Sequence, residues 1–230
     1  MRQFSSYLYK KTGISAFFIF LRMANYAFIV FLISIFVLFS QHSFAHSDGA
    51  PLANVGAATT KDGWTLYAPA FSTCNILGCH YQYTVGSGKG KFMLFVLDEC
   101  EPGEIIDILV SFKKTDTYYH GFQIAAQDRY FNRLVGNFIN VGDDDDTQVE
   151  AGGLYATHTK KGTNQKYWHV KWQAPPEEFW VANPVRFFAI GLEADNDGTA
   201  MGDYVYSATR NIVVRSRKFR NMQMQQLRRE

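Results

Sequence analysis

Tyr167-Trp168-His169-Val170-Lys171-Trp172-Gln173 is the stretch of sequence that decides the fold. Its apolar residues fall at every second position. In a strand that spacing puts Trp168, Val170 and Trp172 on one face and Tyr167, His169 and Lys171 on the other. The tryptophans therefore belong to a core, and His169 faces solvent. Ala174-Pro175-Pro176-Glu177 closes the strand, because proline presets a turn and cannot donate to a ladder. Working outward, the same short aromatic and β-branched runs recur at Phe92–Leu97, Ile105–Phe112, Gly121–Gln127, Leu134–Phe138, Val185–Leu192 and Tyr204–Val214. Gly, Pro and Asp clusters separate them, and no long run carries the 3.6-residue period of a helix. Seven strands at this spacing predict an all-β, antiparallel, immunoglobulin-like β-sandwich.

The charge of the chain divides unevenly around that body. Residues 1–45 carry Arg2, Lys10, Lys11 and Arg22 and no acid, while residues 215–230 carry six basic residues against Glu230. With a formal total of +2, residues 46–214 stand at −7. An acidic body is a poor nucleic-acid surface, which needs clustered Lys and Arg. The 47% hydrophobic content excludes a disordered chain.

The first 45 residues read as an export segment. Ala27–Phe39 is an apolar core with basic residues before it, and Ser43-Phe44-Ala45 after it has the form of a cleavage site. Met23 is an alternative start that would leave an export segment of ordinary length. Ile14–Phe20 is a second apolar run and raises the rival reading of an uncleaved anchor, but Arg22 interrupts the two, and neither reaches the roughly 20 residues of a spanning helix. The expected organisation is a signal peptide over 1–45, a sandwich over 46–214 and a basic tail over 215–230, with the protein periplasmic or extracellular. Its basic tail is expected to be a solvated appendage, with a membrane surface as one partner it could meet.

Several segments, in order, resemble the Reelin-type (Reeler) domain and its bacterial relatives, the choice-of-anchor V domains. They are His46-Ser47-Asp48-Gly49-Ala50-Pro51, Gly78-Cys79-His80, Pro102-Gly103-Glu104, Gly121–Asp128, Val135-Gly136-Asn137-Phe138, Ala156-Thr157-His158-Thr159, Val170–Pro175 and Gly202-Asp203-Tyr204-Val205-Tyr206. The resemblance implies a secreted β-sandwich, in agreement with the strand reading. Bacterial members of that group often carry C-x-x-C-H where this chain has Cys74-Asn75-Ile76-Leu77-Gly78-Cys79-His80; here four residues separate the cysteines.

Covalent haem attachment needs two thiols for the vinyl groups and a histidine directly after the second as iron ligand. Cys74, Cys79 and His80 supply those parts. A distal ligand is expected from His158, taken to lie in an irregular stretch, with His46 second and Met93, read as a core residue, and His120 behind them. The alternatives stay open: a disulfide between Cys74 and Cys79 or from either to Cys100, which is read as lying in a turn, or another metal. Zinc lacks a second ligand pair. The leading expectation is thus a haem c protein for electron transfer or sensing with a redox partner, and its rival is a cofactor-free extracellular recognition module.

Asp143-Asp144-Asp145-Asp146 and Asp195-Asn196-Asp197-Gly198 with Asp203 are oxygen-rich, and the second resembles the opening of a calcium loop without completing an EF-hand. Gly86-Ser87-Gly88-Lys89-Gly90 lacks phosphate-loop spacing and reads as a flexible loop. No G-x-S-x-G elbow is present, and Glu177-Glu178 follows two prolines in a turn, so an autonomous enzyme is not expected. Cleavage predicts a mature chain beginning at His46, read by Edman sequencing or intact mass; a mature chain retaining Phe28–Phe39 would establish the anchor instead.

Overall fold

The computed structural model describes residues 26, 28–32, 34, 47–52, 55–56, 74–76, 79–139 and 145–216. The chain divides into two units, Met1–Ser43 and Phe44–Glu230. In the first, the described residues are helical. No helix among the described residues is long and apolar enough to cross a membrane. The expected cleavage site, His46, Asp143, Asp144 and residues 217–230 lie outside the described residues.

The second unit is a β-sandwich of ten strands among the described residues. One sheet has four strands in the order β1 (Lys91–Phe95), β3 (Ile105–Lys113), β8 (Tyr167–Gln173), β5 (Asn137–Ile139). The other has six: β2 (Glu99–Cys100), β10 (Tyr204–Val214), β9 (Val185–Ala194), β4 (Tyr119–Gln127), β7 (Tyr155–His158), β6 (Thr147–Glu150). All pairings are antiparallel except the two-residue contact of β2 with β10.

The alternation in β8 holds: Trp168, Val170 and Trp172 are buried, and Tyr167, His169 and Gln173 are exposed. Each indole N–H has an acceptor, Trp168 Nε1 donating to Gly162 O at 3.0 Å and Trp172 Nε1 to Val135 O at 3.1 Å. Burying a tryptophan without such an acceptor would forfeit part of what its area contributes. Phe122 packs on Trp168 with ring centroids 4.8 Å apart, and Phe187 meets Trp172 edge-on at 5.0 Å. Ile106, Ile108 and Val110 from β3 complete the inter-sheet core.

The six-stranded sheet is apolar on its outer face as well. Ala125, Phe188, Ile190 and Val205 form a second buried cluster there with Tyr155, covered by Val55 and by Cys74, Val85 and Leu134. Val55, Cys74 and Val85, all before β1, therefore lie as a lid over this face, and Cys74 brings its neighbours onto the sandwich.

Several expectations are corrected. Strands β2, β6 and β7 are too short to show a period, and β5 is confined to Asn137–Ile139 because Leu134 makes only a single bridge, to Gln127. His158 lies in strand β7, buried, and not in an irregular stretch. Cys100 is a buried core residue at the end of β2 and not a turn residue. Met93 pairs with Ser111 while Leu94 pairs with Val110 of the core, so Met93 faces away from the core. The Gly86–Gly90 segment is tied at both ends, Gly86 N–H donating to Val205 O at 2.8 Å and Gly90 N–H to the Tyr206 hydroxyl at 3.1 Å.

Gly136 offers a test of the core. Its φ is +66°, and a Cβ there would strike the Trp172 ring and lie 2.5 Å from Gln173 O. Gly152 has φ +68° with nothing within 4 Å. Gly152→Ala should cost about 1 kcal/mol, the penalty of the left-handed backbone alone. Gly136→Ala should cost about 3 kcal/mol or more, since strain and overpacking add. Urea denaturation of both variants measures the difference, and equal losses would mean the tryptophan yields freely.

Candidate functional site

Three thiols are free among the described residues, those of Cys74, Cys79 and Cys100. Cys100 is buried on the far side of β10 from the lid, so it is not a neighbour of the other two. Burial in an apolar setting pushes its thiol up to about 12, with Glu104 and Glu99 adding to the shift. No disulfide joins the three, contrary to the alternative expectation from the sequence.

The loop from Cys74 to His80 closes on itself. His80 N–H donates to Cys74 O at 3.1 Å, and Cys79 N–H donates to Ile76 O at 2.9 Å. Asn75 Nδ2 donates to Tyr83 O, which fixes the loop to the chain leaving it. Cys74 packs onto the outer-face cluster of Phe188, Ile190 and Val205, and burial, then the neighbouring Cys79, raises its thiol to about 12. A thiol held neutral in this way is a poor spontaneous nucleophile.

His80 has one specific partner. Its Nδ1 lies 2.8 Å from Oδ2 of Asp203, which is 1% exposed at the start of β10. The approach is off the hydrogen-bond axis, and neither atom has another hydrogen-bond partner. The other oxygen of Asp203 accepts Asp195 N–H at 3.1 Å. A buried carboxylate beside Nδ1 directs the ring so that Nε2 is the nitrogen available for a ligand, an arrangement that recurs behind metal-bound histidines. Gly202 N–H donates to Gln82 Oε1 at 2.6 Å, so the His80 loop and the 195–203 loop are tied at a second point.

The carboxylates of that second loop do not converge. Asp195 Oδ1 accepts Asp197 N–H at 3.0 Å, and Asp197 accepts Thr199 N–H at 2.7 Å and its hydroxyl at 3.1 Å. These hydrogen bonds hold Asp197 below its ordinary pKa. The charges cap the turn's own backbone, and the described residues include no group of three or more His, Cys, Asp or Glu with metal-binding geometry. The calcium reading of Asp195, Asp197 and Asp203 gains no support from this arrangement: the loop caps its own backbone, and Asp203 stands beside His80. In the other acidic run, Asp145 pairs with Lys161 at 3.4 Å.

His158 is held elsewhere. Phe122 N–H donates to its Nδ1 at 3.1 Å, so the side chain takes over a ladder position that β7 vacates as it leaves β4. Gly121 makes room for the ring, since a Cβ there would come within 2.7 Å of Cε1. His158 lines a cleft of about 340 Å³ with Gly121, Lys160, Asn164, Asn196 and Thr199. Strand β7 is three positions from β10 in the sheet, about 14 Å across, so the structure does not bring His158 beside His80. His120 is also buried; its Nε2 contacts Thr115 Oγ1 at 2.8 Å, and burial lowers its pKa.

Sequence reasoning singled out Cys74, Cys79 and His80 together but did not place Asp203 beside them. The signal available was the Gly202-Asp203-Tyr204 segment, where an acid stands at the threshold of an apolar strand.

The chain matches the Reeler domain family over residues 73–195. Among solved structures, the reeler domain of human F-spondin (fragment 1) is similar at 19% identity and a TM-score of 0.40, covering 57% of this chain and 92% of that one. A bacterial hydrophobin, BslA, is similar at 6% identity and a TM-score of 0.31, covering 55% and 99%. No curated protein matches the chain.

Asp203→Ala leaves the Asp195 amide and His80 without their partner and should destabilise the domain by about 2–3 kcal/mol, against about 1 kcal/mol or less for Asp203→Asn, which keeps the Asp195 acceptor. Urea denaturation distinguishes the two, and a neutral Asp203→Ala would show that the pair is loose.

Proposed function

This chain belongs to the Reeler domain family, and we propose that it is an exported sandwich whose Cys74–His80 loop holds one covalently attached haem for electron transfer or haem-based sensing. The observation that carries the reading is the His80–Asp203 pair. A buried carboxylate oxygen stands 2.8 Å from Nδ1 of a histidine whose loop also carries two free thiols. Two thiols and a histidine in one loop are the donor types that covalent haem attachment takes. Bound there, haem iron supplies a reversible one-electron couple.

The chain's own residues support the rest of the site. Asp203 occupies the Nδ1 side of His80, which leaves Nε2 as the nitrogen that would hold the iron. The apolar cluster of Phe188, Ile190 and Val205 behind Cys74 excludes water from one side of the loop. Asn75 and Gln82 hold the two ends of the loop, so little ordering entropy remains to be lost on binding. A second ligand to the iron would come from His46, Met93 or His120, since His158 is engaged on β7. A solvent-facing loop edge suits a protein redox partner.

Protein produced in a haem-competent host should show a Soret band and a covalent mass increase of one haem. His80→Ala should abolish the low-spin spectrum, and Cys79→Ser should leave at most one thioether. Absence of both band and mass increase in the unaltered chain overturns the proposal and leaves a cofactor-free recognition module.

A further inference from the structure

The pole of the sandwich opposite the Gly86–Gly90 crossing carries a cluster that the haem reading does not use. The β4–β5 loop and the β8–β9 loop meet there: Arg129 N–H donates to Ala182 O at 3.0 Å, and the Phe131 and Trp180 rings meet edge-on at 6.1 Å. Trp180 is 62% exposed, Tyr130 69% and Phe179 48%. Exposed aromatics gathered in two adjacent loops are the composition of a binding surface rather than of an ordinary loop.

These rings already hold one guanidinium. Arg133 Cζ lies 5.2 Å from the Phe131 ring centroid, 5.7 Å from that of Trp180 and 5.8 Å from that of Phe179. Its charge is spent on Asp128, which is fully buried at 2.7 Å. The inner side of the surface thus already holds a cation, while Trp180, Tyr130 and Phe179 remain exposed.

The rim is acidic. Glu177 and Glu178 are exposed directly before Phe179 and form no ion pair among the described residues. The turn carrying Glu104 joins the same pole, since Gly103 N–H donates to Pro175 O at 3.0 Å. The other cations here are Arg129, Arg186, which is bonded to Asn211, and Arg215. Glu104, Glu177 and Glu178 match these three in number, so the pole carries no excess of positive charge to attract an anionic surface.

The last strand delivers a cationic segment to this place. Asn183 clamps the end of β10, its Nδ2 donating to Val214 O at 2.8 Å and its Oδ1 accepting Val214 N–H at 2.9 Å. The chain then leaves at Ser216 into residues 217–230, which contain Arg217, Lys218, Arg220, Arg228 and Arg229 against Glu230, interleaved with Phe219, Met222, Met224 and Leu227. Fourteen residues reach up to about 46 Å. Tethering raises the effective concentration to the millimolar range, so a weak contact suffices.

We propose that the Trp180–Phe179–Tyr130 patch with its Glu177, Glu178 and Glu104 rim is the docking surface for the chain's own basic segment 217–230. Arginines stack on the outward ring faces and pair with the rim, and the methionines and Leu227 cover the indole.

The test places the photo-cross-linker benzoylphenylalanine at Gln226, far enough along the segment that the tether alone does not impose proximity, in the otherwise unaltered full chain. Cross-links should map to Glu177–Trp180 or Tyr130 within the monomer. Charge reversal by Glu177→Lys with Glu178→Lys should lower their yield about tenfold, as should 1 M NaCl, where the screening length is about 3 Å. Both changes lie on the exposed loop, and circular dichroism checks the fold. Cross-links that are absent, scattered over the acidic body, or unchanged by charge reversal overturn the proposal. So do cross-links that form only to phosphatidylserine when vesicles of that lipid are added, which would make a membrane the occupant.

Discussion

The structure depends on a sheet that must be covered on both faces. In β9 and β4 nearly every residue of the central pairings is buried, because Phe187 and Ala189 face the four-stranded sheet while Phe188 and Ile190 face the other way. An antiparallel sheet can leave one face wet when that face is polar, but here it is not. Exposing Phe188, Ile190, Val205 and Ala125 together would present an apolar surface that a stable soluble domain avoids. The segment before β1 is therefore recruited as a third layer. Its placement follows from the composition of strands that come a hundred residues later.

That constraint positions the chemistry. Cys74 lies in the lid because it is one of the side chains that close the outer face. Once it is seated, His80 N–H bonds back to Cys74 O, and the crossing at Gly86–Gly90 returns the chain to β1 past Tyr206 and Glu193. His80 meets Asp203 because the lid runs alongside the start of β10, and the 195–203 turn is stiff enough, through its own Asp-to-backbone bonds, to present that carboxylate at a fixed height. A scaffold that is rigid for reasons of packing thus gives a histidine a defined orientation, and an unpartnered carboxylate oxygen gives it a defined polarity.

Legibility in the sequence followed the strength of local pattern. β8 was readable to the residue because alternation of tryptophan with His and Lys admits only one face for the core. β9 and β10 were readable as strands, yet their second apolar face passed unnoticed: a continuous apolar run marks a strand without saying what covers it. β6 and β7, four residues each, carry too few positions to set a period, and this is why His158 was expected in an irregular stretch. The cysteine loop was legible because its chemistry is local in sequence. Its partner was not, since Asp203 is separated from His80 by the whole sandwich and is brought near by strand order alone. The aspartates of the 195–203 turn illustrate the converse: oxygen-rich spacing is common to metal loops and to turns in which Asp accepts backbone N–H groups, and only the positions of the amides distinguish the two.

The distribution of charge has the same origin. A formal total of +2 conceals a body of −7 between two basic ends. Within the body, the buried acids are committed, Asp128 to Arg133, Asp203 to His80 and Glu193 to Tyr206. The acids that remain for outside interaction lie mainly in turns, and those of the 101–104 and 177–178 turns share a pole because Gly103 and Ala174 are hydrogen-bonded into one corner. β10 ends at that corner since Val214 needs the side chain of Asn183 to satisfy both its backbone groups after the ladder stops. The place where the cationic segment leaves the sandwich is thus set by a backbone hydrogen-bonding requirement, and the acidic, aromatic character of its surroundings by the turns that close strands β3, β4 and β8.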